Sequence, residues 1–339
     1  MASFHASTSA VSRGAGHSAT AKSAYISGQE ITDGLTGEIH NYTRRDGVEH
    51  TEVMLPSGID KEITAQELWN KAELAENRKD ARVAREWTIA LPHELTAEHR
   101  KELAQDLARE ITDRYQVGTQ LAIHEPSKHG DDRNYHVHIL STTRKIDQNL
   151  NLIEKADIER YRKQCTQMGI PNSQEQIIQL REMISSKINE HLEKANIQEQ
   201  VTHLNYKDQG LDRIPTRHMG KEITQLERQG VKTELGDYNR HAMRYNELKT
   251  TLESIFNQQR EQEAHKPNKA TEIFRIKEQE LLAKIQAKYD VNKIVSKYNT
   301  KEAEQQKRIE QEKRLEKQQK QEKNYQKIKD QSKNRGFER

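Results

Sequence analysis

Only one cysteine, Cys165, is present among the 339 residues. An intrachain disulfide is therefore impossible and a cysteine-based metal site is excluded, which fits a reducing compartment. Long apolar runs are missing too. No stretch reaches the roughly 20 apolar residues that a membrane span needs. The opening "MASFHASTSAVSRGAGHSA" lacks the cationic start and apolar core of a secretory leader. A soluble, cytoplasmic protein without membrane insertion is expected. Hydrophobic residues make up 32% and charged residues also 32%, a balance too polar for one compact core over the whole length. Charge of one sign is not in excess either, since 56 Lys and Arg oppose 53 Asp and Glu for a net of +3. Any nucleic-acid surface must come from local clustering.

What is there is an alternation of short strands and amphipathic helices. Residues 3–8 alternate as a strand, the turn "SRGAGH" follows, and Ser18 is placed to cap a helix through "ATAKSAYIS". The stretch "EIHNYTRRDGVEHTEVMLP" reads as two strands paired through an Asp46-Gly47 turn. A charged helical pattern runs from Ala65 to Arg85, then "REWTIALP" reads as a strand stopped by Pro92. Thr96 opens a helix with Leu103, Leu107 and Ile111 on one stripe and Gly118 just past its end. Strands around 119–124 and 135–143 flank the polar loop "EPSKHGDDRN", and 174–195 is an amphipathic helix. This order predicts an α+β fold with a central antiparallel sheet flanked by helices.

Beyond about residue 240, glycine and proline almost vanish and apolar positions thin out without heptad spacing. Residues 301–339 carry 13 Lys and Arg against 8 Asp and Glu. Two regions are therefore expected, 1–235 as a folded domain and 240–339 as a long, helical, charged C-terminal extension, partly disordered. The basic end is either a loose clamp on DNA or simply a solvated charged helix.

The segment "NYHVHIL" carries the chemistry. Successive strand side chains point to opposite faces, so His136 and His138 share one face while Val137 and Ile139 take the other. In "TQLAIHE" the same parity places His124 opposite Leu121 and Ile123. If the two strands pair, His124 meets His136 and His138, and three neutral imidazoles each offer one lone pair to a metal. Parity also leaves Glu86 opposite Trp87, Ile89 and Leu91, and His5 opposite Phe4, so both are candidates for the histidine face. His129, in the intervening loop, reads as an ordinary loop residue. Three histidines leave about three positions on a six-coordinate cation, which suits Mg²⁺ or Mn²⁺ holding phosphate oxygens. Tetrahedral Zn²⁺ with an activated water uses the same donors.

Tyr25 falls late in the short helix among the small residues Ala21, Ala24 and Gly28, which let that helix approach a sheet closely. With "FHAST...SRGAGHSATAKSAYISG", "YTRRDGVEHTEVMLP", "AREWTIALPHEL", "AIHEPSKHGDDRNYHVHILSTTR" and "HLNYKDQGLDRIPTRHMG" in this order over roughly residues 1–235, the chain resembles the MobA/MobL family of plasmid mobilization relaxases. These belong to the histidine-hydrophobic-histidine endonucleases. The resemblance implies a sheet of about five strands, Tyr25 as nucleophile and His124, His136 and His138 as metal ligands. It also implies single-strand cleavage at a plasmid transfer origin through a 5′-phosphotyrosyl adduct that is later rejoined. Glu86 matches a family position near the active site and is expected to orient the tyrosine or a histidine. Tyr135 and Val137 depart from the residues frequent in relatives, and neither is a ligand position.

Arg13, Lys22, Arg44 and Arg45 lie beside these elements and are candidate phosphate contacts on single-stranded origin DNA. Accessory mobilization proteins and a type IV secretion coupling protein are the further partners that the resemblance implies, for a chain expected to be a monomer. The competing readings are a metal-dependent hydrolase using activated water, a rolling-circle replication initiator with the same chemistry, and a non-enzymatic DNA-binding scaffold. No role is assigned to "GLDRIPTRHMG".

Overall fold

The computed structural model describes residues 4–127, 131–263, 279–281, 283 and 284. The expectations for His129 and for the charged arm at 301–339 fall outside these residues. The chain divides into two compact units, Met1–His203 and Leu204–Arg339. Among the described residues, no helix is long and apolar enough to cross a membrane.

In the first unit the elements run β1 (Ala6–Ser12), α1 (Ala19–Ser27), β2 (Glu30–Thr32), β3 (Ile39–Asn41), β4 (Val48–Met54), α2 (Ala65–Leu74), β5 (Arg82–Ala90), α3 (Ala97–Tyr115), β6 (Val117–His124), β7 (His136–Ile146), β8 (Leu152–Lys155), α4 (Arg162–Met168) and α5 (Ser173–Lys194). The central sheet has the order β1-β5-β7-β6-β4, with antiparallel pairing throughout, and the short β8 adds to the far end of β7. The α+β class is as the order of elements predicts, and the five-stranded antiparallel core of the sheet is as the family resemblance implies. Helix starts follow their capping residues: Ser18 accepts from Ala21 N–H at 3.0 Å and Thr96 from His99 N–H at 3.3 Å.

Both faces of the sheet are covered. Leu103, Leu107 and Ile111 of α3 and Leu180 and Ile184 of α5 pack on Trp87, Ile89, Leu121, Ile123, Val137 and Ile139. On the other face, Ile26 of α1 and Leu68 and Trp69 of α2 pack on Ala84, Ala122 and Leu140. The simple division into a core face and a site face is thereby corrected. The histidine face is half core, and the histidines stand on the same face beside Ile26 of α1.

Four local expectations are also corrected. β1 begins at Ala6, with Phe4 and His5 just ahead of it. β3 pairs backward with β2 and not forward with β4. Asp33 decides this by closing the β2–β3 turn: its carboxylate accepts from Leu35 and Thr36 N–H, each at 2.9 Å, leaving β4 to pair with β6. α2 ends at Leu74 and not near Arg85, because Arg82 to Ala84 are drawn into β5 by pairing with β1, tertiary pairing overriding local helix propensity. Gln116, in the left-handed region at φ 54°, terminates α3, while Gly118 lies within β6. A Cβ at Gly118 would stand 2.8 Å from Leu68 Cδ1, so the missing side chain lets α2 lie close on the sheet.

The second unit contains α6 (Gly220–Arg228) and α7 (Glu234–Glu263). It gives "GLDRIPTRHMG" a structural account. The extended segment lies along α7, where Asn246 exchanges both amide bonds with the backbone of Ile214 (2.9 and 2.8 Å). Asn239, two turns earlier on the same helix face, does the same with Arg217 (2.7 and 2.8 Å). Tyr238 adds a bond from its hydroxyl to the Pro215 carbonyl at 3.2 Å.

Candidate active site

The strand register sets the histidine cluster. β6 and β7 pair His124 directly with His136 and Ala122 with His138, and β5 sets Thr88 opposite His138. Paired residues share a face, so the three imidazoles converge, with ring centroids 4.6 to 5.2 Å apart. One potential ligand atom from each lies within 4.8 Å of the others, the metal-competent group among the described residues.

Each ring has one nitrogen bonded to a carbonyl or carboxylate oxygen. His124 Nε2 donates to the Ile26 carbonyl at 2.6 Å, His136 Nδ1 to the Asn134 carbonyl at 3.0 Å and His138 Nδ1 to Glu86 at 2.7 Å. These bonds fix the tautomers and leave His124 Nδ1, His136 Nε2 and His138 Nε2 as lone-pair donors. Burial first, and then the charges of the neighbouring histidines and Arg45, lower the pKa of His124 to about 4, against the raising effect of the Ile26 bond. Burial likewise lowers that of His136. Both are therefore neutral at pH 7, the state a cation requires. The donor set fits a divalent metal.

Glu86 is buried under this cluster. Burial opposes its ionisation, but the hydrogen bonds and charges of His138 and Lys22 outweigh that, so its carboxyl titrates below the usual range. Lys22 Nζ sits 2.8 Å from it and Ser9 Oγ 3.4 Å. Its carboxylate thus bonds a histidine, His138.

Tyr25 reaches the site because α1 is fastened across the sheet. Ser23 Oγ and Trp69 Nε1 both donate to Gln120 Oε1 at 2.6 Å, and the next turn of α1 gives its Ile26 carbonyl to His124. The start of α1 is held by Glu73, which accepts from Ala19 N–H at 2.6 Å. Tyr25 is 40% exposed, so its ring is open to a substrate. Lys22 Nζ is 5.6 Å from the ring centroid and Arg45 Cζ 3.9 Å, while Tyr42 meets it edge-on at 5.4 Å. Tyr25, Tyr42, His40, Lys22 and Glu86 are among the residues lining an open groove of about 690 Å³.

The remaining candidates separate by position. Arg45 contacts both Tyr25 and His124, whose Nδ1 lies 3.4 Å from an Arg45 nitrogen. Arg44 is exposed on the same turn. His5 is exposed ahead of β1, its carbonyl accepting from Ala90 N–H at 2.9 Å, and its charge acts on His136. Arg13 lines the same groove, with its guanidinium engaged by neighbouring residues. Its guanidinium donates to the Glu73 carboxylate and to the carbonyls of Glu73, Glu76 and Arg78, pinning the β1–α1 turn to the end of α2. Sequence reasoning missed Tyr42, whose only local signal is an aromatic three residues before Arg45. It also missed the backbone carbonyls of Ile26 and Asn134, which no residue type announces.

A family model described as the MobA/MobL family matches residues 17–229. Mobilization protein MobL of Acidithiobacillus ferridurans is 36% identical over 250 residues, covering 67% of this chain and 64% of the relative. A probable mobilization protein MobA of Bifidobacterium longum (strain NCC 2705) is 28% identical over 283 residues, covering 74% and 49%. The chain thus spans less than two thirds of the length of these relatives. Among solved structures, a chain from work on the molecular basis of vancomycin resistance transfer in Staphylococcus aureus is 30% identical with a TM-score of 0.53, covering 60% of this chain and all of that one. With the family match running from the start of the tyrosine helix through the histidine strands, the chain belongs to the MobA/MobL family.

Proposed function

We propose that the protein is a relaxase, which nicks one strand of DNA at a plasmid transfer origin through Tyr25 and later reseals it. The observation that carries this reading is the junction at Arg45, where one guanidinium stacks on Tyr25 and reaches His124 of a three-imidazole centre. The mobilization names of the relatives and the family match support it.

His124, His136 and His138 would hold a divalent cation, which would supply charge neutralisation at the scissile phosphate. The chain's own part is positional and electrostatic. α1 presents the Tyr25 hydroxyl for attack on phosphorus. The phenol gives up its proton, the bond from phosphorus to the 3′ oxygen breaks, and that oxygen takes a proton to leave as a hydroxyl. A 5′-phosphotyrosyl bond replaces a phosphodiester of similar energy, so resealing is the same exchange run backward and needs no nucleotide triphosphate. Lys22, held by Glu86, and Arg45 place positive charge beside the phenol, where negative charge develops. The groove beyond Tyr25 gives the severed strand a path, and Tyr42 at its edge offers a ring for base stacking. We assign residues 1–235 to this activity and 240–339 to a helical extension.

The test is incubation with single-stranded transfer-origin DNA and Mn²⁺, followed by denaturing electrophoresis. Wild type forms a protein–DNA adduct, and Tyr25→Phe binds the DNA without forming it. An adduct from Tyr25→Phe removes Tyr25 as nucleophile, and multiple turnover with no adduct in wild type replaces the relaxase with a hydrolase.

A further inference from the structure

A single guanidinium stands between Tyr25 and the histidines. Arg45 Cζ lies 3.9 Å from the Tyr25 ring centroid, and Arg45 Nη2 is 3.4 Å from His124 Nδ1. The turn before β4 delivers it: Arg45 N–H donates to the Tyr42 carbonyl at 2.9 Å, which folds Tyr42 back so that its ring meets Tyr25 edge-on. Tyr25 is therefore held on two sides by one four-residue turn. The guanidinium lies near enough to the ring for a cation–π contact, and its planarity suits that contact where an ammonium does not.

The other end of Arg45 matters as much. His124 Nε2 is committed to the Ile26 carbonyl, so Nδ1 carries the one lone pair this imidazole can offer. A cation shared by the three histidines requires that lone pair. The Arg45 N–H requires it too.

We propose that Arg45 is a positioning residue that competes with the divalent cation for His124 Nδ1, and so couples loading of the histidine centre to the hold on Tyr25. This rests on the reading of the histidines as a metal centre and of Tyr25 as nucleophile. Arg45 acts against the cation twice, by occupying an acceptor and by like charge a few ångströms away. Linkage makes the effect reciprocal: whatever Arg45 costs the cation, the cation costs the Arg45–His124 bond. Loading therefore frees the guanidinium from His124 while the ring of Tyr25 still offers it a face. The freed N–H groups remain beside Tyr25, and a guanidinium matches phosphate oxygens two at a time.

Isothermal titration of the full chain with MnCl₂ tests this, beside adduct formation on single-stranded origin DNA at saturating Mn²⁺. Arg45→Ala binds Mn²⁺ about tenfold tighter than wild type, on the scale of one nearby like charge removed in a partly solvated site, yet forms adduct more slowly. Arg45→Lys retains the charge and loses the flat stacking, so its Mn²⁺ affinity stays near wild type while its adduct formation is slow. A purely structural arginine would lower both readouts in the alanine variant. Arg45→Gln makes the same comparison with Mn²⁺ if Arg45→Ala does not fold. Mn²⁺ affinity in these neutral variants equal to or weaker than wild type overturns the proposal and leaves the metal reading standing. A wild type that takes up no Mn²⁺ overturns both.

Discussion

Glu86 accepts the Nδ1 proton of His138 at 2.7 Å from a buried position on the neighbouring strand. The carboxylate thereby fixes the tautomer that leaves His138 Nε2 as the lone-pair nitrogen, and it is itself kept ionised by its bonds to His138 and Lys22. Glu86→Gln keeps an acceptor for His138 but loses the charge and the ion pair with Lys22. Mn²⁺ affinity should fall by about tenfold, at the lower end of the effect of an outer partner of a metal ligand. Titration calorimetry reads this directly, and unchanged affinity would remove Glu86 from the support of the centre.

His124 makes stability pH-dependent. Its pKa is about 4 in the folded protein and near 6.5 in an unfolded chain. The unfolded state therefore takes up the proton first as pH falls. The contribution is fully present above pH 6.5 and is lost progressively down to about pH 4, amounting to about 3 kcal/mol. The lowered pKa values of Glu86 and His136 act in the same direction. Thermal melts in chelator from pH 7.5 to 4.5 should show the midpoint falling. His124→Gln, whose amide still donates toward the Ile26 carbonyl, should flatten that slope.

Packing of the helix layer is tested at Gly118. Its Cα faces Leu68 so closely that an added methyl must displace a side chain buried beside Trp69. Gly118→Ala should destabilise the protein by about 1–3 kcal/mol, the range for overpacking. Denaturant melts measure it, and combining the change with Leu68→Ala should recover part of the loss.

Much of the site could be read from strand parity, because alternation is a local property that survives whatever the strand pairs with. His124, His136, His138 and Glu86 share a face for that reason, and Ser18 and Thr96 cap their helices for reasons equally local. What the sequence hid depends on partners distant along the chain. β3 turned back to β2 through the carboxylate of Asp33. The chain after Leu74 left a helical pattern to pair with β1. Arg45 reads in sequence as one of four similar cations. Only the turn that carries it to Tyr25 and His124 distinguishes it from Arg44 beside it.

Arg13 and Arg44 make that distinction measurable. Arg13 donates into α2 and forms a 2.6 Å ion pair with Glu73, whose side chain is 2% exposed. Arg13→Ala leaves that carboxylate buried without its partner and frees the end that holds Ala19 N–H, a loss of about 3–5 kcal/mol. Arg44 is exposed on the turn before β4, where a change disturbs no buried group and costs less than about 0.5 kcal/mol. On origin DNA the order reverses. Arg44→Ala should weaken binding and reduce the slope of log affinity against log salt by about 0.7, the value for one single-strand phosphate contact. Arg13→Ala, assayed at a temperature where it remains folded, should leave the slope unchanged. Fluorescence anisotropy across a salt series, paired with denaturant melts of both variants, decides this. A lowered slope for Arg13→Ala would return that residue to the DNA surface despite its contacts with Glu73.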